Sequence, residues 1–376
     1  MNEEQYKKTA IRFLTGIAVL LALAAILVFL VDPFFHYHGL WFGLKPVQSK
    51  DEFQVNGALE HLEYDAVMLG SSVAMNINSS SFDKAYGCNT IKAVAKGATC
   101  STLYYYLDKA YKYRDIKYVF WGLDPDQLQY EYTEDSRQDQ VEYLRDKNPF
   151  NDVNYLWNVD VIFKEIPYMI TMSAHDDLDT GRAYDFTSTS VYGYDVAIAM
   201  HKPAGEIKEM RSCDDEKYIK KREKNLDLIE ELVAAHPETE FKFFFTVASI
   251  LWWDIHYRDG GMERYLATFE RAVERLDAYD NVTFYSGVFN DENVIMDLDR
   301  YCDYCHADYE INQRQAASVI NEDRVISIDT VSDEIQSLRD CVYGFEERLA
   351  EEGGWDFLRE YQGASDIRAA GSETGR

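Results

Sequence analysis

The chain opens on charged positions and then stops using them. After Lys7, Lys8 and Arg12, the 19 residues from Phe13 to Val31 carry no charge and are rich in Leu, Ala, Ile and Val. A helix of ~20 such residues crosses a bilayer core. The pattern therefore predicts a transmembrane anchor over 13–31, closed by Asp32-Pro33. The basic flank keeps residues 1–12 cytoplasmic and places the remainder of the chain outside. A cleaved signal peptide is the alternative, but the run is long for such a segment and no small-x-small site follows it. The next stretch, Asp32-Pro-Phe-Phe-His-Tyr-His38, is aromatic and suits the membrane–water interface. As metal ligands, His36 and His38 would need partners that the sequence does not offer.

Past a juxtamembrane segment (32–60), apolar runs of strand length alternate with helical periods. Asp65–Leu69, Asn89–Val94, Lys117–Leu123, Glu240–Val247 and Val282–Tyr285 read as buried strands. Ser101–Tyr113, Asp215–Ala235 and Met262–Tyr279 read as helices. Such alternation predicts a three-layer α/β/α domain over 61–330 with a central parallel, flavodoxin-like sheet. Ligands of such sheets bind where strands end. From about 127 to 210 the alternation breaks into aromatic, polar sequence with a helix-like stretch near Val153–Ser173. This reads as an insertion over the active face that carries specificity. Helices are expected over 331–362, and the small, polar residues 363–376 read as a disordered tail.

Charge narrows the partners. With 66 acidic against 38 basic residues, the formal net charge is −28, which disfavours nucleic acid. The 28 tyrosines suit either a sugar-stacking surface or a packed core. Six cysteines, Cys88, Cys100, Cys213, Cys302, Cys305 and Cys341, would meet an extracytoplasmic environment. Cys88 with Cys100, or Cys302 with Cys305, lie close enough to pair; buried free thiols are the alternative.

The stretch Met296–His306 holds two overlapping patterns. Asp303-x-x-His306 puts an acid and an imidazole in one loop, while Cys302-x-x-Cys305-His306 matches a c-type haem attachment motif. A haem protein would also need a distal ligand, zinc a fourth ligand, and calcium a loop spacing that the acidic run lacks. The acid–base reading has a partner elsewhere. Gly70-Ser71-Ser72 ends the first strand at a tight turn that presents a hydroxyl, with backbone N–H groups able to face an oxyanion. Serine reacts only when a base takes its proton, and His306, oriented by Asp303, is the candidate. Neither a metal nor a cofactor is required.

Gly70-Ser71-Ser72, Gly97 after the second strand and Asp303-x-x-His306 together resemble the SGNH/GDSL hydrolase superfamily over roughly residues 60–320. The resemblance implies Ser72, rather than Ser71, as nucleophile, with Asp303 and His306 completing a triad. It also implies Ser72 and Gly97 as amide donors of an oxyanion hole. One block departs: the expected Gly-x-Asn-Asp is here Gly122-Leu123-Asp124, and a carboxylate would repel an oxyanion. Asn76, four residues after Ser72, is the candidate replacement donor. The anchored layout is similar to D-alanyl-lipoteichoic-acid transfer proteins and anchored exopolysaccharide acetyltransferases. Asp32–His38 and Thr246–Trp253 are similar to anchored members from Gram-positive anaerobes. The implied function is an extracytoplasmic serine esterase or O-acyltransferase. Its substrate would be a cell-surface polysaccharide or a teichoic-acid-like polymer, and a membrane-bound O-acyltransferase is the implied partner. A catalytically degenerate domain that binds glycan or scaffolds such a partner is the non-enzymatic alternative.

Overall fold

The computed structural model describes residues 3–129, 141–202 and 205–366, which form two compact units. The expected insertion thus extends in part over 130–140 and 203–204, outside the described residues. Residues 1–63 and 136–180 form the first unit. Its helix Glu3–Val31 starts well before the uncharged run and is about 43 Å long at 1.5 Å per residue. Among the described residues it is the one helix long and apolar enough to cross a membrane, as an anchor or a signal sequence would be. The helix ends at Asp32, whose carboxylate accepts the N–H groups of His36, Tyr37 and His38 and the Tyr155 hydroxyl. This explains the histidines without a metal. His38 bonds the carbonyls of Phe29 and Gly39, and His36 sits 3.3 Å from Asp152. Val28, Phe34, Leu144, Tyr155, Val161 and Ile166 pack beneath them as a local core.

Residues 64–135 and 181–376 form the second unit, a central sheet flanked by helices. The strands are β1 (Ala66–Gly70), β2 (Thr90–Val94), β3 (Tyr118–Leu123), β4 (Glu240–Phe245), β5 (Val282–Tyr285) and β6 (Val325–Ile326), in the order β2-β1-β3-β4-β5-β6. The first five are parallel; β6 is a two-residue antiparallel edge that the apolar pattern does not announce. The inner strands are mostly apolar because helices cover both their faces, with Glu240 and Lys242 on β4 the charged exceptions within them. Trp121, Phe243 and Phe284 lie in register across three strands, with successive rings 5.6 and 5.0 Å apart. The order reverses between β1 and β3, the switch point where such sheets open a crevice.

Of the described residues of the insertion, 141–180 group with the N-terminal helix and those from Gly181 onward with the sheet. Short-range periodicity shows helices but not which surface receives them. The tail is ordered at its start. Ser365 is fully buried and its hydroxyl bonds Asp297 at 2.8 Å; residues 367–376 lie outside the described residues.

Candidate active site

The switch point carries a serine. Gly70 ends β1, and helix Ser72–Met75 begins two residues later with Ser71 as its N-cap. The turn is tight enough that a Cβ on residue 70 would lie 2.4 Å from the Ala74 Cβ. Ser71 Oγ accepts the Val73 N–H and also bonds the Asp124 carboxyl. Ser72 Oγ is instead 2.8 Å from His306 Nε2. The two adjacent serines therefore have separate work, one structural and one facing the imidazole.

The loop between Arg300 and Asp308 delivers that imidazole. Tyr301 and Ala307 form a β-bridge, and the Cys302 N–H donates to the His306 carbonyl at 3.1 Å, so the backbone pinches the loop shut. Asp303 Oδ2 is 2.6 Å from His306 Nδ1, while Oδ1 accepts the N–H groups of Cys305 and His306 at 2.8 Å each. Burial pushes the Asp303 carboxyl up, but the bond and charge of His306 and the two amides outweigh it, holding the group below the usual carboxylate range. Phe186 packs its edge against the His306 ring at 5.3 Å. That contact comes from the part of the insertion that stays with the sheet.

Around these groups is a cavity of about 200 Å³. Gly97, at φ +59°, and Ala98 line one side of it. Trp252, Trp253 and Tyr304 line another, with Asp124, Asp126 and Thr246 adding polar groups. Asn76 does not line it. It closes the short helix, is 1% exposed, and its Oδ1 accepts the Phe186 N–H at 3.2 Å. Asn76 thus serves as the C-cap of that helix, outside the cavity lining, while its Nδ2 has no hydrogen-bond partner among the described residues. Asp124 is buried beneath the turn and accepts hydrogen bonds from Thr246 and Gln127 as well as Ser71. Burial nevertheless raises its pKa, toward the neutral form.

The loop's other pattern dissolves in the same geometry. All six cysteines are free thiols, so neither suggested pair is a disulfide. Asp303, Cys305 and His306 bring ligand-type atoms within 4.8 Å of one another. Both His306 nitrogens already face partners, however, leaving none directed at a haem iron or a zinc ion. Burial raises the Cys305 thiol well above its ordinary pKa and keeps it protonated beside the ring.

Sequence reasoning missed Lys92, 1% exposed on β2, whose ammonium donates to the carbonyls of Met75 (2.5 Å) and Ala183 (2.7 Å). It ties down the end of the serine-bearing helix. The signal was present: a lysine inside an otherwise apolar strand needs a buried partner.

No protein-family model matches the chain, and no curated protein matches it. Solved structures do match, among them a Streptococcus pneumonia protein named for platelet activating factor. It is 11% identical with a TM-score of 0.38, covering 72% of this chain and 90% of that one. At that score the likeness carries no argument about the site.

Proposed function

We propose that this protein is a serine esterase or O-acyltransferase of SGNH type, held at the membrane by its N-terminal helix with the sheet unit outside the cell. The observation that carries the reading is the hydrogen-bonded chain Ser72–His306–Asp303 at the switch point of the sheet. Ser72 Oγ attacks an acyl carbonyl as its proton passes to His306 Nε2. The Ser72 and Gly97 N–H groups, both at the cavity, stabilise the resulting oxyanion. Collapse of the tetrahedral intermediate breaks the bond to the leaving alkoxide, which takes the proton from His306. The acyl group, now an ester on Ser72, then passes to water or to a sugar hydroxyl by the reverse steps. Asp303, kept ionised, fixes the imidazole tautomer and stabilises the imidazolium. A neutral Asp124 would not repel the oxyanion, and the rise in its pKa supports that state.

A cell-surface polysaccharide or teichoic-acid-like polymer is the substrate class we assign, with a membrane-bound O-acyltransferase as the source of acyl groups; tethering favours substrates confined to the envelope. Labelling with a fluorophosphonate probe tests the chemistry. Wild-type protein and Ser71→Ala should label, and Ser72→Ala should not. Failure of the wild-type protein to label would instead favour a domain that only binds glycan or scaffolds a partner.

A further inference from the structure

The first unit exposes an apolar surface that its own core does not explain. Between residues 150 and 170, seven large apolar side chains are exposed, as many as on all described residues of the sheet unit. Phe150 is 86% exposed, Phe163 73% and Val159 66%, with Val153, Trp157 and Ile170 above 40%. Soluble surfaces scatter such residues singly; a run of them marks an interaction site.

The N-terminal helix identifies the occupant. The Trp157 indole N–H donates to the carbonyl of Leu21 at 2.8 Å, and Val161 and Ile166 share a core with Val28. Leu21 lies ten residues before the helix ends at Val31, about 15 Å along the axis, or half of a ~30 Å hydrocarbon core. Leu20, Leu23 and Ile26 on the same turns are themselves 68%, 56% and 52% exposed.

We propose that residues 150–170 form a second membrane-contacting element, lying among lipid acyl chains and headgroups against the C-terminal half of the anchor. This rests on the reading of helix Glu3–Val31 as a membrane anchor. Asp160 and Lys164, paired at 2.8 Å on the same segment, offset each other's charge. The element therefore lies in the outer leaflet beside the anchor, reaching from the headgroups to the depth of Leu21, rather than spanning the bilayer. Tryptophan there buries its ring and satisfies its N–H at once. The segment would fix how the first unit stands on the bilayer, which a single helix leaves free to rotate.

Photo-crosslinking on the full chain in phosphatidylglycerol–phosphatidylcholine vesicles tests this. Benzoylphenylalanine is placed singly at Phe163, at Leu20 in the helix and at Val325, which is 51% exposed on the sheet unit. After irradiation, mass spectrometry should find lipid adducts at Leu20 and Phe163 and lose them at Val325. Adducts at Leu20 without any at Phe163, or a protein cross-link at Phe163 in place of lipid, would overturn the proposal and leave the anchor standing. Absence of adducts at both Leu20 and Phe163 would overturn both.

Discussion

Gly70→Ala isolates the turn that aims Ser72. The new Cβ would stand 2.4 Å from Ala74 Cβ and 3.3 Å from the Gly122 carbonyl oxygen, in a region with no exposed side chain to yield. Carbon atoms pack at about 3.5–4.0 Å, so Ala74 must retreat by at least ~1.1 Å. Ala74 belongs to the four-residue helix that starts at Ser72, and the Ser72–His306 bond of 2.8 Å would not survive that shift. A misplacement near 1 Å costs reacting groups about 10²-fold, while overpacking costs roughly 1–3 kcal/mol in stability. The assay is the second-order rate of fluorophosphonate labelling, read beside the melting temperature. Gly70→Ala should label about 10²-fold more slowly yet still fold. Adding Ala74→Gly removes the opposing methyl and should recover part of the rate, the backbone at φ +158° still straining the new side chain, at a helix cost near 1 kcal/mol. Wild-type labelling by Gly70→Ala, or a double variant no faster than the single one, would refute the steric account.

Three other outcomes follow from named contacts. Asp303→Asn should keep the fold but lower ester turnover by roughly 10³–10⁴-fold, because the imidazole loses its ionised partner; steady-state kinetics on an aryl ester would show it. Lys92→Met should destabilise the protein by about 2–5 kcal/mol, since two buried carbonyls lose a charged donor; denaturant unfolding measures this. Glu346, buried beside Asp254, Arg258 and His201, has its pKa pushed up to about 9, first by burial and then by the Asp254 carboxylate. Between its ordinary value and about 9 the unfolded chain has lost this proton and the folded chain keeps it, so stability falls as pH rises through that window. Glu346→Gln should flatten the decline in melting temperature from pH 5 to 9, and an unchanged slope would count against the assignment.

What the sequence made legible divides along a physical line. The five parallel strands were read within a residue or two because each is buried on both faces, which leaves a mostly apolar run, charged only at Lys92 on β2 and at Glu240 and Lys242 on β4, that needs no tertiary context. Ser72 was legible for a related reason, since it stands two residues after the visible strand β1, whereas the Asp303–His306 pair lies well past β5 and stood out by its spacing alone. Asn76 and Asp124 were not, because their roles depend on which hydrogen-bond donors and acceptors arrive from elsewhere. Asn76 is engaged by Phe186, 110 residues away, and Asp124 by Thr246, 122 residues away. No local pattern encodes either meeting. The 141–180 segment was opaque in the same way, at a larger scale. Its apolar positions predicted helices, but an apolar stripe does not say whether it faces the sheet, a membrane helix or lipid. Trp157 answers only through the carbonyl of Leu21, a group that every residue possesses and that only the fold selects. The same division bears on engineering. Substitutions at strand ends can be chosen from sequence alone, whereas those that alter how 150–170 meets the anchor must be chosen from the folded contacts.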